Sequence, residues 1–153
     1  MQEREALMRA AREIQHRAHA PYSHFFVGAA VRAASGRVYL GVNVENASYP
    51  VGMCAERAAI GAAITAGERE LVAVAVATDA PRAVFPCGMC AQALHEHGPG
   101  LLVLAQGADG LVREATLDKI LPYAYSGEGL AEVAAAAGAA GPAAGALRPG
   151  ARE

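Results

Sequence analysis

A chain of 153 residues, 54% of them apolar, has the length of one ordinary domain and can fill a single core without disulfides. With 13 Lys+Arg against 15 Asp+Glu the formal charge is -2, and no run of basic residues is present. That argues against a surface built to displace counterions from nucleic acid or an anionic membrane.

The amino end, Met1-Gln2-Glu3-Arg4-Glu5, mixes charges where a signal peptide is apolar, and Leu71 to Ala77, the longest strongly apolar run, is too short for a bilayer. The 3 cysteines are an odd number without framework spacing. A soluble, cytoplasmic protein that uses cysteine for metal binding or catalysis is expected.

Leu7, Ala10 or Ala11, Ile14 and Ala18 recur at helical spacing, which predicts an amphipathic helix ending before Pro21. Val27 to Ala33 and Arg37 to Val44 read as a hairpin turned at Ser35-Gly36. Cys54 to Ala66 reads as a helix with Gly67 past its end. Leu71 to Thr78 is continuously apolar and predicts a central strand.

A second helix is expected over Cys87 to His97, with His95 and His97 in its last turn. Leu101 to Ala105 and Leu111 to Ala115 then form an antiparallel pair about Asp109-Gly110. Thr116 is placed to cap Leu117 to Leu121, and Glu128 to Ala137 predicts a last helix. The order describes one layered α/β domain, residues 1–137, on a mixed sheet of about five strands. Residues 138–153, rich in Ala, Gly and Pro, are expected to be a disordered tail.

Two segments stand outside the fold pattern: Met53-Cys54-Ala55-Glu56-Arg57 and Phe85-Pro86-Cys87-Gly88-Met89-Cys90. Together they contain every cysteine. Each begins a predicted helix, where free N–H groups and the helix dipole favour a thiolate. Cys87 and Cys90 can point their sulfurs to one side of a helical turn, and Cys54 completes a three-ligand site if both helices follow neighbouring sheet elements and start at one sheet edge. Three protein ligands leave a fourth position for water, the arrangement of catalytic zinc. Glu56, two residues after Cys54, is placed as a general base toward that water.

Competing readings are weaker. Any one cysteine alone would be read as core. Cys87 and Cys90 as a redox pair would sit among different neighbours. A structural finger of Cys87, Cys90, His95 and His97 has the wrong His spacing and leaves Cys54 and Glu56 without a purpose.

Cys-Ala-Glu followed by Pro-Cys-x-x-Cys matches the signature of zinc deaminases, whose first ligand is His or Cys. More closely, the sequence resembles the small homotetrameric cytidine deaminases from the first helix to about Leu130. Ala20-Pro21-Tyr22-Ser23-His24-Phe25-Phe26-Val27-Gly28-Ala29-Ala30 is similar to that family's opening motif, Asn43-Val44-Glu45-Asn46-Ala47 to its ribose motif, and Leu121-Pro122-Tyr123-Ala124-Tyr125 to its carboxyl-terminal signature.

The resemblance implies a three-layer α-β-α fold, one zinc ion per subunit on Cys54, Cys87 and Cys90, and Glu56 as the proton carrier. It implies that Phe25 packs on the pyrimidine, that Asn43 and Glu45 bind the sugar hydroxyls, and that Ala55 lies in the substrate site. Tyr49 and Tyr125 would approach from a neighbouring subunit of a homotetramer. The period-two spacing of Asn43 and Glu45 independently puts both on one face of a strand end.

Three thiolates on one zinc leave about one negative charge, and Arg57 is placed to offset it. The sequence departs from the family at Ala91, where Arg is frequent.

The implied reaction converts cytidine and deoxycytidine to uridine and deoxyuridine with release of ammonia, a step of pyrimidine salvage. Alternatives are a deaminase of a modified cytosine nucleoside or of a blasticidin-S-type antibiotic, and a zinc-stabilised binding module without catalysis. The Asn43 to Asn46 segment favours a nucleoside, and an intact Glu56 stands against a dead site. The acidic balance disfavours a polynucleotide substrate.

Overall fold

The computed structural model describes residues 1–136. Helical periodicity at the amino end produces α1 (Gln2–Ile14), continued by a single 3-10 turn at Gln15–Arg17. The strands are β1 (Val27–Ala33), β2 (Val38–Val42), β3 (Leu71–Thr78), β4 (Leu102–Gln106) and β5 (Val112–Thr116). The further helices are α2 (Ala55–Thr65), α3 (Gly88–His95), α4 (Leu117–Ile120) and α5 (Gly127–Ala136).

The strands form one mixed sheet in the order β2-β1-β3-β4-β5. β1 is antiparallel to both β2 and β3, β3 is parallel to β4, and β4 is antiparallel to β5. β2, β3 and β4 therefore run in one direction. Their carboxyl ends lie at one edge of the sheet, and α2 and α3 start there.

Alternation along the strands divides the core into two layers. Ala30 of β1, Ala73, Ala75 and Ala77 of β3 and Leu104 of β4 face Leu7, Met8 and Ala11 of α1. Val27, Ala29 and Val31 of β1 with Val74 and Val76 of β3 face Ala55, Ala59, Ile60 and Ala63 of α2 and Ala91 and Leu94 of α3. The three-layer α-β-α arrangement follows, with β3 covered on both faces as its unbroken apolar run requires.

Two glycines set how closely the helices approach. A Cβ on Gly28 would overlap the Ala11 carbonyl oxygen of α1, and one on Gly41 would overlap the Ala55 carbonyl oxygen and the Ala59 nitrogen of α2. Gly67, at φ 96, ends α2 in the left-handed conformation that glycine tolerates.

Polar clamps fix both ends of the sheet. Arg12 of α1 donates to the carbonyls of Thr78 (2.9 Å), Gln106 (3.3 Å) and Gly107 (2.9 Å), bracing the carboxyl ends of β3 and β4. Beside it, Gln15 donates to the Phe26 carbonyl (2.9 Å) and to Asp79 (2.7 Å). At the opposite end, Glu68 accepts from the Ser35 hydroxyl (2.8 Å) and the Tyr39 hydroxyl (2.9 Å) and pairs with Arg37 at 2.6 Å. The Ser35 hydrogen bond first, with those of Tyr39 and Arg37, holds the Glu68 carboxyl below its ordinary value.

Three expectations are corrected in detail. The second cysteine helix runs Gly88–His95, not 87–97, because Cys87 caps it and the N–H groups of His97 and Gly98 both return to the Leu94 carbonyl. His97 instead gives its carbonyl to the Leu71 N–H at 2.9 Å, which starts β3. The helices α2 and α3 follow β2 and β3, which are not neighbours, since β1 lies between them. The last helix begins at Gly127, one residue early. Residue 137, the boundary proposed there, and the tail at 138–153 lie outside the described residues.

Gly41→Ala is expected to push α2 off the sheet and to lower unfolding stability by roughly 1–3 kcal/mol. Gly61→Ala, in the same helix but with no atom within 4 Å of the new Cβ, is expected to stabilise by about 0.5–1 kcal/mol. Denaturant unfolding of the two variants checks the pair, and equal effects would contradict the close approach at Gly41.

Candidate active site and metal centre

Cys54 and Cys87 occupy equivalent places, the residue before the first turn of α2 and of α3, each in extended backbone conformation. Their carbonyls accept the first helical hydrogen bonds, from Ala58 at 3.1 Å and Ala91 at 2.8 Å. Neither side chain caps its own helix, so both sulfurs are free to face the other element. Cys90 comes from the first turn of α3 and is fully buried, while Cys54 is half-buried and Cys87 exposed. The three sulfurs lie within 4.8 Å of one another.

The donor set suits zinc. Sulfurs bound to tetrahedral zinc at ~2.3 Å stand ~3.8 Å apart, a spacing these side chains reach by small adjustment. Contact with the Cys90 thiol first, and then Arg57, draws the Cys54 thiol down to about 5. The same contact with Cys54, followed by burial, pushes Cys90 up. Three thiolates this close would repel one another, and a dication that takes the place of their protons relieves that repulsion. Arg57 stands with Nη2 at 3.9 Å from the Cys54 sulfur and 3.3 Å from the Gly52 carbonyl. Its Nε is buried without a hydrogen-bond partner among the described residues.

Glu56, in the first turn of α2, is 6% exposed. Burial first, and then the charge of Cys54, raises its pKa. A carboxyl so placed holds a proton at higher pH than an exposed one, which suits a group that must take a proton and return it.

These groups open on a cavity of about 530 Å³. Its lining contains Cys54, Ala55, Glu56, Arg57 and Cys87 together with Phe25, Asn43, Glu45 and Tyr49. Local pairing puts the latter group there. Val44 and Met53 exchange both backbone hydrogen bonds at 2.9 Å, closing the loop between β2 and α2. His19 donates to the Asn43 carbonyl (3.0 Å) and accepts from the Glu45 N–H (2.8 Å), so residues 43–45 extend the edge strand beside the cavity.

Asn43 and Glu45 are also engaged by the segment before β1. Asn43 accepts from the Val27 N–H at 2.8 Å and donates to the Phe25 carbonyl at 2.8 Å. Glu45 accepts from the N–H groups of Tyr22 (3.0 Å) and Ser23 (3.2 Å) and from the Ser23 hydroxyl. The Ser23 hydroxyl first, then those N–H groups, holds the Glu45 carboxyl below its ordinary value.

Tyr125 stands apart: it is 63% exposed, its backbone paired with the Gln92 amide at 2.8 and 3.0 Å, and it does not line the cavity of its own chain. Ala91 is 1% exposed and packs into the core. Sequence reasoning did not assign Val84, Phe85, Thr78 and Met89 to the site, and they also line the wall. Val84, Phe85 and Met89 adjoin or interleave the Pro-Cys-x-x-Cys segment, and that nearness was the available signal.

An open three-sulfur centre beside a buried carboxyl, at the carboxyl edge of an α/β sheet, defines a metal-dependent hydrolytic enzyme, since structural zinc sites are closed by four protein ligands. Comparison with known proteins gives the family. Residues 1–106 match the family described as the cytidine and deoxycytidylate deaminase zinc-binding region. A cytidine deaminase of Halalkalibacterium halodurans is 40% identical over 127 residues, covering 82% of this chain and 96% of the relative. One of Sporosarcina psychrophila is 39% identical over 131 residues, covering 85% and 96%. The crystal structure of cytidine deaminase from Burkholderia pseudomallei superposes with a TM-score of 0.76 at 42% identity, covering 79% of this chain and 98% of that one. The chain belongs to the zinc-binding cytidine and deoxycytidylate deaminase family.

Cys87→Ala removes an exposed ligand with little loss of core packing. Metal analysis of purified protein is expected to fall from about one zinc per chain to near zero. Full zinc content in that variant would contradict the three-sulfur centre.

Proposed function

We propose that the chain hydrolytically deaminates cytidine and deoxycytidine to uridine and deoxyuridine, releasing ammonia. The observation that carries this reading is Glu56, a buried carboxyl with raised pKa placed two residues from Cys54 on a cavity of nucleoside size. The cytidine deaminases that this chain resembles along most of its length support the substrate.

In this reading Phe25 packs on the pyrimidine, Asn43 and Glu45 hold the sugar hydroxyls, and Ala55 lies against the bound base. The lining supports a free nucleoside over a nucleotide. Among the described residues it carries two carboxylates, Glu45 and Glu56, and one cation, Arg57, which is turned to Gly52 and Cys54. A phosphate would meet no free positive partner.

Zinc on Cys54, Cys87 and Cys90 supplies Lewis acidity, which makes water nucleophilic at neutral pH. Glu56 accepts a proton as the water oxygen bonds to ring C4, and delivers it to ring N3. It then carries the second water proton to the exocyclic amine, which leaves as ammonia when the C4–N bond breaks. Arg57 offsets the negative charge of the sulfurs throughout.

A cytoplasmic homotetramer acting in pyrimidine salvage completes the proposal. Exposed Val38, Leu40, Val112, Tyr123, Leu130 and Val133 support assembly, as apolar surface that symmetric contacts would cover. Tyr49 and Tyr125 are then placed to act at subunit boundaries. No helix among the described residues is long and apolar enough to cross a membrane.

The test follows cytidine and deoxycytidine by the ultraviolet change on deamination. Wild type is expected to convert both, and Glu56→Gln to keep its zinc while kcat falls by roughly 10²–10⁴. Full turnover in Glu56→Gln would place proton transfer elsewhere. Failure of folded, zinc-loaded wild type to convert either nucleoside would overturn the substrate.

A further inference from the structure

The aromatic wall of the cavity depends on a segment with one backbone hydrogen bond of its own, from the His24 N–H to the Ala20 carbonyl at 3.1 Å. Between Ala20 and Val27 the chain turns without forming helix or strand, and His24 sits at φ 55, the left-handed region that a non-glycine residue adopts only when its surroundings hold it there. Phe25 follows directly.

Other side-chain hydrogen bonds that hold the segment come from the edge strand opposite. Asn43 takes the backbone groups on the far side of Phe25, and Glu45 takes those of Tyr22 and Ser23. One side chain links the two halves. The Ser23 hydroxyl donates its single proton to Glu45 Oε1 and accepts the Phe25 N–H at 3.0 Å. A continuous chain of hydrogen bonds thus runs from the Glu45 carboxylate through one hydroxyl to the backbone of Phe25.

We propose that Ser23 is a positioning residue: its hydroxyl fixes Glu45 Oε1 and the Phe25 backbone together, so that the group facing the sugar and the ring facing the base are set as one unit. The inference rests on the reading of Glu45 as the sugar ligand. Without the hydroxyl, Glu45 Oε1 loses its fixed direction and the Phe25 N–H loses its acceptor. Loosening of Phe25 lowers turnover of every substrate that carries the base, and the loss at Glu45 adds a further fall only on substrates whose sugar hydroxyls engage it.

Steady-state kinetics of wild type, Ser23→Ala and Ser23→Thr on cytidine and on 2′,3′-dideoxycytidine, which lacks the 2′ and 3′ hydroxyls, tests the proposal. Wild type prefers cytidine. Ser23→Ala is expected to shrink that preference in kcat/KM by about fivefold or more, the size of one lost charge-assisted hydrogen bond, chiefly through KM for cytidine. Ser23→Thr, which keeps the hydroxyl, restores it. An equal fall on both substrates in Ser23→Ala, an unchanged preference, or no rescue by Thr would each overturn the role of Ser23. Absence of any preference in wild type would overturn the sugar reading of Glu45, and this proposal with it.

Discussion

Three sulfurs from two distant parts of the chain meet because one antiparallel strand is inserted between two parallel ones. β1 lies between β2 and β3 and runs antiparallel to both, so β2 and β3 end at the same edge although they are not neighbours. The helix after each strand must start at that edge, and each starts with a cysteine. Gly41 then lets α2 lie directly on the sheet, which sets where Cys54 and Glu56 stand. On the far face the Arg12 brace holds the ends of β3 and β4, and therefore the start of the path to Cys87, from behind. The chemistry depends on this convergence more than on any single contact.

Electrostatics at the centre is a balance of few charges. Thiolates and the Glu56 carboxylate crowd one region, while Arg57 and the amino ends of α2 and α3 supply the opposing sign. Ala91 is buried in the core and contributes none. Burial keeps Glu56 protonatable, and its place in the first turn of α2 keeps it next to the sulfurs. One helix start thus holds both the Cys54 sulfur and the Glu56 carboxyl at the cavity.

Much of this was legible in the sequence where local pattern and tertiary need agreed. β3 was read to its end residues because a strand covered on both faces is apolar throughout, while α2 falls one residue inside its expected span at each end, with Cys54 and Ala66 as its caps. The metal centre was legible because every cysteine lies in one of two short segments whose spacing matches a known signature. Less was legible where an element is closed by tertiary partners, as at the Leu94 carbonyl that ends α3 early. Phe85 and Val84 carry no chemistry of their own, and their nearness to Cys87 was the one local sign of their place on the cavity wall. Asn43 and Glu45 were readable as a polar pair on one strand face, but their grip on the Phe25 segment needs a partner far away in sequence, which no local pattern records.

The central claim is a single zinc ion on three sulfurs with one position left open. X-ray absorption at the zinc edge of the metal-loaded protein measures that directly. The account predicts three sulfur scatterers at ~2.3 Å and one oxygen or nitrogen scatterer at ~2.0–2.2 Å. A shell of four sulfurs, or of two sulfurs with two lighter atoms, would contradict it.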